Sequence, residues 1–267
     1  MQHIIRSGAW LLLLLLLGLP ACLAQSTTTT SRLSAEADAS IYGDNTGFAN
    51  GQGGELEVGK TRAGTLRRAL LRFSLADIPA NATISSATLS VVVDQNNFGA
   101  HVIAAHRVAT AWTEGPSSGQ GPALPGDVTW LTPSSGTGRS WSQPGGDIFA
   151  LATTAAIANA ERSRVGFDVT SDALVFAANP ALNNGWLLKV ADEGPSQTLK
   201  RFASAEFHDA AQRPVLEVVW FIPEPTSTST ATTTTSFETT TTVVTTTTQD
   251  TTVRRQTEGN GGGYACV

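Results

Sequence analysis

Short runs in which apolar and polar residues alternate, separated by turn-forming residues, constrain this fold more than any other feature of the sequence. The run RRALLRFSL (67–75) places Ala69, Leu71 and Phe73 on one face and Arg68 and Arg72 on the other. Such alternation is typical of a β-strand. Similar runs occur at GELEVGK (54–60), ISSATLSVVVD (84–94), HVIAAHRVAT (101–110), RVGFDVT (164–170) and in the closing GWLLKVAD, TLKRFASAEF and RPVLEVVWF. The pattern predicts an all-β fold, an antiparallel β-sandwich of the jelly-roll type.

Helical signals are few. The best is SDALVFAANP (171–180), for which Ser171 or Asp172 is the expected N-cap. A weaker helical pattern occupies ATTAAIANA (152–160), which has a threonine pair and no capping residues. One short helix is therefore expected beside the strands.

The composition divides the chain into four segments. Residues 1–24 have the features of a secretory signal peptide: Arg6, an apolar run from Leu11 to Leu17, and small residues before Gln25. The apolar run is short for a membrane span, so no stable membrane insertion is expected; an anchor, or a lipid on Cys22, are the alternatives. A Thr/Ser-rich linker is predicted over 25–33, one domain over 34–222, and a disordered, low-complexity Thr-rich tail over 223–267.

The two cysteines, Cys22 and Cys266, predict no disulfide within the mature chain, because the first would leave with the signal peptide. The domain must then be stabilised by its hydrophobic core even in an oxidising compartment. Cys266 is left either to pair between chains or to stay a free thiol.

The charge pattern and the absence of catalytic motifs exclude two classes of function. The net charge is −5, whereas nucleic-acid-binding domains are usually basic. No GxSxG motif occurs, and Glu114, Asp127, Asp147 and Asp168 fall in separate segments. The sequence therefore predicts a protein that is not an enzyme.

A series of blocks between Ala35 and Trp220 carries a family resemblance. The blocks are LEVGK, RRALLRFSLADIPANATISSATLSVVV, HRVATAWTEG, VTW, WSQPGGD, GFDVTSDAL, NNGWLLKV, FASAEF and RPVLEVVW. In this order they resemble the DNRLRE-domain family, also called carbohydrate-binding module family 96. The resemblance implies an antiparallel β-sandwich that binds polysaccharides, of which acidic ones such as alginate are the attested case.

Basic and aromatic residues supply the candidate carbohydrate-binding site. Arginine holds carboxylates well because its planar group can donate two parallel hydrogen bonds, and sugar rings stack on exposed tryptophans. The candidates are Arg68, Arg72, Lys60, Arg107, Lys189, Arg201, Trp112 and Trp141. The alternative for Arg72 is a structural ion pair with Asp77, Asp168 or Glu206.

Oxygen-bearing side chains near the two ends of the domain give a weak calcium candidate, with Asp44, Asn45, Glu206 and Asp209 as ligands. Turn formation explains the same residues equally well. No other cofactor is expected. Asn81, in the sequon Asn-Ala-Thr, is a glycosylation site if the source is eukaryotic.

Together these features predict a secreted, non-catalytic carbohydrate-binding protein, extracellular or at the cell surface, whose partner is an extracellular polysaccharide. The alternative is an extracellular structural or adhesion protein with no glycan ligand.

Overall fold

A computed structural model describes residues 27–96 and 98–224. The predicted signal peptide, the first two residues of the predicted linker, both cysteines and nearly all of the Thr-rich tail lie outside the described residues. The described strands are β1 (Thr28–Ser34), β2 (Ala37–Tyr42), β3 (Phe48–Asn50), β4 (Glu55–Lys60), β5 (Leu66–Arg72), β6 (Thr83–Gln95), β7 (His101–Arg107), β8 (Gly121–Pro122), β9 (Thr154–Ala158), β10 (Arg164–Asp168), β11 (Trp186–Val190), β12 (Lys200–Ala203) and β13 (Val215–Phe221).

The strands form two antiparallel layers that are joined along one side, so the predicted all-β sandwich is confirmed. The front sheet runs in the order β3-β2-β5-β11-β7-β9, and the short β8 pairs with β3. The back sheet contains β1, β13, β6 and β10. Strand β12 pairs with β6 of the back sheet and with β4, and β4 in turn pairs with β5 of the front sheet.

The main hydrophobic core lies between the two sheets. Strand β5 contributes Ala69 and Leu71, and Phe73 follows at its end, as the alternation predicts. Leu89 of β6 and the fully buried Trp186 of β11 belong to the same cluster. Burial of side chains of this size, at roughly 25 cal/mol for each Å² removed from water, is the main stabilising contribution to such a fold.

A second hydrophobic core lies on the outer face of the front sheet. Leu70 of β5 and Leu187 of β11 point to this face, where residues from the connection 108–150 cover them. We call this connection the loop layer (residues 108–150). Its buried contacts are Val108, Trp112, Val128, Trp130 and Trp141. Strand β5 is therefore buried on both faces, which explains why its leucines do not keep to one side.

The α-helix α1 spans Thr170–Ala178, close to the predicted 171–180. Its predicted cap is wrong: Val169 occupies the N-cap position and no side chain caps the helix. Asp172 instead turns inward, where its carboxylate accepts hydrogen bonds from Trp186 Nε1 at 2.8 Å and Thr153 Oγ1 at 2.5 Å. Satisfying the indole N–H of a fully buried tryptophan outweighs the gain from capping an exposed helix end.

The weak helical pattern at 152–160 is wrong, because this segment contains strand β9, which pairs with β7 from Ala158 opposite His101 to Thr154 opposite Ala105. Among the described residues no helix is long and apolar enough to cross a membrane.

The sandwich begins earlier than the sequence indicates. Strand β1 pairs with β13 along its whole length, from Thr28 opposite Phe221 to Ser34 opposite Val215. Most of the predicted linker 25–33 is therefore an edge strand of the domain. The strand was hidden because its first residues are exposed threonines, and Leu33 is its one buried side chain.

We expect Leu33→Ala to lower the free energy of unfolding by about 2–4 kcal/mol, because Leu33 packs in the main core. Thr29→Ala is the control: Thr29 is exposed on the same strand, and its loss should cost within about 0.5 kcal/mol. Urea denaturation of the two variants measures the difference. Equal stabilities would contradict a structural role for β1 and favour a linker.

Candidate functional site

Arg68 of β5 is held under the loop layer rather than exposed in a groove. Its Nε and Nη2 atoms donate to the two carboxylate oxygens of Glu193, each at 2.9 Å, and Nη1 donates to the Gly145 carbonyl at 2.8 Å. The guanidinium lies 4.9 Å from the centroid of the Trp130 ring. A Cβ at position 145 would stand 2.6 Å from Arg68 Nη1, so only glycine leaves room for this contact.

Arg72 makes a similar contact at the other end of the strand. Its Nη1 donates to the Trp112 carbonyl at 2.9 Å, its guanidinium lies 5.2 Å from the centroid of the Trp112 ring, and its Nε lies 3.5 Å from Glu36 Oε2. Its acidic partner is therefore Glu36, and not any of the three carboxylates that the sequence suggested. Arg68 and Arg72 both attach the loop layer to the front sheet.

Three of the predicted cations converge on one segment. Lys60 Nζ donates to the carbonyl oxygens of Glu193 and Gly194 at 3.0 Å, and Lys189 Nζ lies 3.0 Å from Glu193 Oε2. With the Arg68 pair they form what we call the Glu193 cluster (Lys60, Arg68, Lys189 and Glu193). Burial raises the pKa of Glu193, but hydrogen bonds and charges from Arg68 and Lys189 outweigh this and bring the pKa below its ordinary value.

Three other predicted residues, Arg107, Trp112 and Trp141, lie outside this cluster. Arg107 lies with its guanidinium 3.9 Å from the centroid of the Phe149 ring and its Nη1 3.7 Å from Asp172 Oδ1. Trp112 and Trp141 are 2% and 5% exposed, and both belong to the second core. Their indole N–H groups donate to backbone carbonyls at 2.9 Å. The structure thus places both rings where they stabilise the loop layer, with almost no exposed face.

Arg201 lies in an open cleft of about 610 Å³, which we call the Glu57 cleft. Its lining residues are Tyr42, Asn50, Gly53, Gly54, Glu55, Glu57, Gly119, Gln120, Arg201, Glu206, Phe207 and His208. Arg201 Nε lies 3.0 Å from Glu57 Oε1 and 3.4 Å from Glu55 Oε2, and Nη1 donates to Gln95 Oε1 at 3.1 Å. The guanidinium of Arg201 and the carboxylates of Glu55 and Glu57 therefore hold one another in fixed positions in the cleft.

Tyr42 forms the buried wall of the cleft. Burial, aided by the nearby Glu57 charge, raises the pKa of Tyr42 to about 12, so its hydroxyl stays protonated. That hydroxyl has no hydrogen-bond partner within the described part of the chain, although it borders the cleft. Arg67 Nε pairs with Glu57 Oε2 at 3.2 Å, and Gln120 Nε2 donates to the same oxygen at 3.0 Å.

Sequence reasoning found only Arg201 and Glu206 of this cleft. One further signal was available: in GELEVGK, Glu55 and Glu57 are two residues apart and so share a strand face. Two carboxylates on one strand are also typical of a solvated surface. Only the pairing of β12 with β4 places Arg201 opposite Glu57.

The structure does not gather the predicted calcium ligands. Asp44 is bound by Arg67, with Nη1 2.5 Å from Asp44 Oδ1, and Asp209 accepts from the Ala211 N–H at 3.0 Å in a 3₁₀ turn. Among the described residues, the group of three carboxylates close enough to share an ion is a different one: Asp38, Glu114 and Glu206. Asn81 lies on an exposed turn, as predicted; its glycosylation stays a prediction.

Comparison with known proteins supports the family resemblance over part of the domain. The sequence model of carbohydrate-binding module family 96 matches residues 29–118. The matched range begins at the second residue of β1, contains β2 to β7 and ends in the loop layer, in agreement with the structural start of the domain. No curated protein matches the chain. The match therefore supports a carbohydrate-binding module, and families of such modules are generally non-catalytic.

We expect Arg68→Ala to lower the free energy of unfolding by about 2–4 kcal/mol, because it leaves a largely buried Glu193 carboxylate without its bidentate partner. Arg164→Ala, which removes an exposed arginine of β10, should change stability by about 0.5 kcal/mol or less. Denaturant unfolding of both variants tests this. If Arg68→Ala were as stable as the control, Arg68 would be free for a ligand instead.

Glu193→Gln gives a pH test of the same cluster. Because the pKa of Glu193 is lower in the folded chain than its ordinary value of 4.5, its contribution to stability is present above pH 4.5 and is lost as the pH falls through the folded-state pKa. The variant should therefore be less stable than the wild type at pH 7, and the gap should narrow below pH 4.5. A gap that is independent of pH would contradict the ion pairing.

Proposed function

We propose that this protein is a non-catalytic carbohydrate-binding protein that acts outside the cell and holds its glycan in the Glu57 cleft. The observation that carries the proposal is that the segment matched by carbohydrate-binding module family 96 supplies much of the cleft, including Tyr42 from β2, Asn50 from β3, and Glu55 and Glu57 from β4.

The groups of the cleft suit the hydroxyls of a sugar. The carboxylates of Glu55 and Glu57 accept hydrogen bonds from sugar hydroxyls, whereas the guanidinium of Arg201 donates to them. These side chains are already fixed by ion pairs, so little side-chain freedom is lost when a sugar binds. The exposed imidazole of His208, whose ring centroid lies 4.3 Å from that of Phe207, offers an aromatic edge at the rim of the cleft.

The finer proposal is that the glycan is an acidic polysaccharide such as alginate. In its favour, the Glu193 cluster brings Lys60, Arg68 and Lys189 to one carboxylate, which leaves a local surplus of positive charge on an acidic protein. Arg68 is committed to Glu193 and Gly145 through three hydrogen bonds. Lys60 Nζ makes two such bonds and Lys189 Nζ pairs with one oxygen, so each ammonium group keeps at least one proton for a uronate carboxylate. The cleft itself is rich in carboxylates and would contact the hydroxyls of the chain.

The extracellular location rests on the signal-peptide features of residues 1–24. An extracellular structural or adhesion protein without a glycan ligand is the competing function, and binding experiments separate the two.

Affinity electrophoresis in gels that contain alginate or neutral polysaccharides tests the proposal. We expect Arg201→Ala with His208→Ala to weaken retention by every bound glycan about tenfold, since it removes a charged donor and a ring from the cleft. Lys60→Ala with Lys189→Ala should weaken retention by alginate alone. Arg164→Ala is the control for Arg201→Ala. It removes the same charge, but Arg164 does not line the cleft, so retention should not change.

The salt dependence of alginate binding and the retention of the wild-type protein give results that could contradict the proposal. Binding to alginate should weaken as salt is raised from 0.05 to about 0.5 M, because screening acts on exposed charges. If the folded wild type is not retained by any of the glycans, the structural or adhesion function is favoured. Release of new reducing ends or unsaturated uronates from the glycans would show an enzyme.

A further inference from the structure

We propose that Asp38, Glu114 and Glu206 form a binding site for a divalent cation, and that the cation is calcium. We call these residues the carboxylate trio. Each residue offers one carboxylate oxygen, and these three oxygens all lie within 4.8 Å of one another. This site differs from the sequence-based calcium candidate and shares only Glu206 with it. Glu206 also lines the Glu57 cleft, but binding of a cation by the trio does not require a glycan.

The three carboxylates come from separate parts of the chain. Asp38 lies on β2, Glu114 lies in the loop layer, and Glu206 lies in the connection from β12 to β13. Backbone groups orient two of them: Glu114 Oε1 accepts from the Asp38 N–H at 2.7 Å, and Asp38 Oδ2 accepts from the Ala205 N–H at 2.7 Å. These hydrogen bonds hold the trio together although its members carry like charge.

Two buried oxygens of the trio have no hydrogen-bond donor among the described residues. Asp38 is fully buried, and within residues 27–96 and 98–224 its Oδ1 finds no partner; the same holds for the buried Oε2 of Glu206. A buried carboxylate oxygen without a donor is costly, so such atoms in a stable fold call for a positive group that the protein itself does not supply. This observation is separate from the clustering and points to a cation.

The surroundings agree with a cation. Burial raises the pKa of Asp38 well above its ordinary value, and the Glu206 charge raises it further; burial also raises the pKa values of Glu114 and Glu206. The charges of Arg72 and Arg213 act to lower the pKa values of Glu114 and Glu206, but both arginines make hydrogen bonds elsewhere. Arg72 donates to the Trp112 carbonyl and Arg213 Nε donates to the Phe207 carbonyl. Their charges act on the trio from a distance and offset the negative charge that a divalent ion would leave.

The donor atoms favour calcium over other divalent ions. All three ligands are carboxylates, which a hard cation prefers, and a set without histidine or cysteine does not favour zinc. Calcium accepts irregular sets of oxygens and bidentate carboxylates, whereas magnesium demands a nearly ideal octahedron. A bound calcium would join β2, the loop layer and the β12–β13 connection, so its expected effect is to stabilise the fold.

The test is thermal unfolding of the full chain after treatment with EDTA. Calcium at about 100 times its dissociation constant should raise the melting temperature by about 5–10 °C relative to sodium chloride of equal ionic strength. Magnesium should raise it less. Terbium, a luminescent substitute for calcium, should give emission on excitation of tryptophan, because Trp112 is two residues from Glu114, and excess calcium should remove it.

Matched variants assign the site. Asp38→Asn and Glu206→Gln should each abolish the calcium-dependent shift, whereas Asp44→Asn and Asp209→Asn, from the sequence-based candidate, should keep it. A wild type whose melting temperature does not respond to calcium would overturn the proposal, even if no trio variant folds. A response that survives in the trio variants but is lost in Asp44→Asn or Asp209→Asn would place the ion elsewhere. Glycan retention is measured separately, so either proposal can fail alone.

Discussion

The attachment of the loop layer to the front sheet is the interaction on which the rest of this structure depends. Tryptophans of the loop layer bury the outer face of β5, while Arg68 and Arg72 of that same face reach the loop through carbonyls and ring faces. An arginine can do this because its stem packs against apolar surface while its planar head donates several hydrogen bonds. The loop layer also supplies Gly119 and Gln120 to the Glu57 cleft and Glu114 to the carboxylate trio.

Much of the fold could be predicted from period-two alternation, and its failures have physical reasons. In RRALLRFSL the alternation correctly assigned Ala69, Leu71 and Phe73 to the main core. It could not indicate that Leu70 is equally buried, because the loop that covers it has no periodic pattern. Strand β1 was missed because an edge strand with an exposed face needs few apolar residues. The helix cap was missed because the buried Trp186 competes for the Asp172 carboxylate.

The candidate site was harder to predict, because its partners are far apart in the sequence. Of the six predicted cations, Lys60, Arg68 and Lys189 converge, but their shared partner Glu193 lies in a connection that no pattern marks. The Glu57 cleft requires β2, β4 and β12 to be neighbours, which only the sheet topology reveals. For the same reason the calcium candidate contained one residue of the carboxylate trio, Glu206, and missed the other two.

The central claim is that a glycan lies in the Glu57 cleft, and nuclear magnetic resonance tests it most directly. Alginate oligosaccharides, and neutral ones in parallel, are titrated into the isotope-labelled protein while amide and side-chain signals are followed. Binding in the cleft predicts the largest shifts at Asn50, Gln120, Arg201 and His208, which line it. Shifts confined to other surfaces, or no shifts at saturating glycan, would contradict the claim.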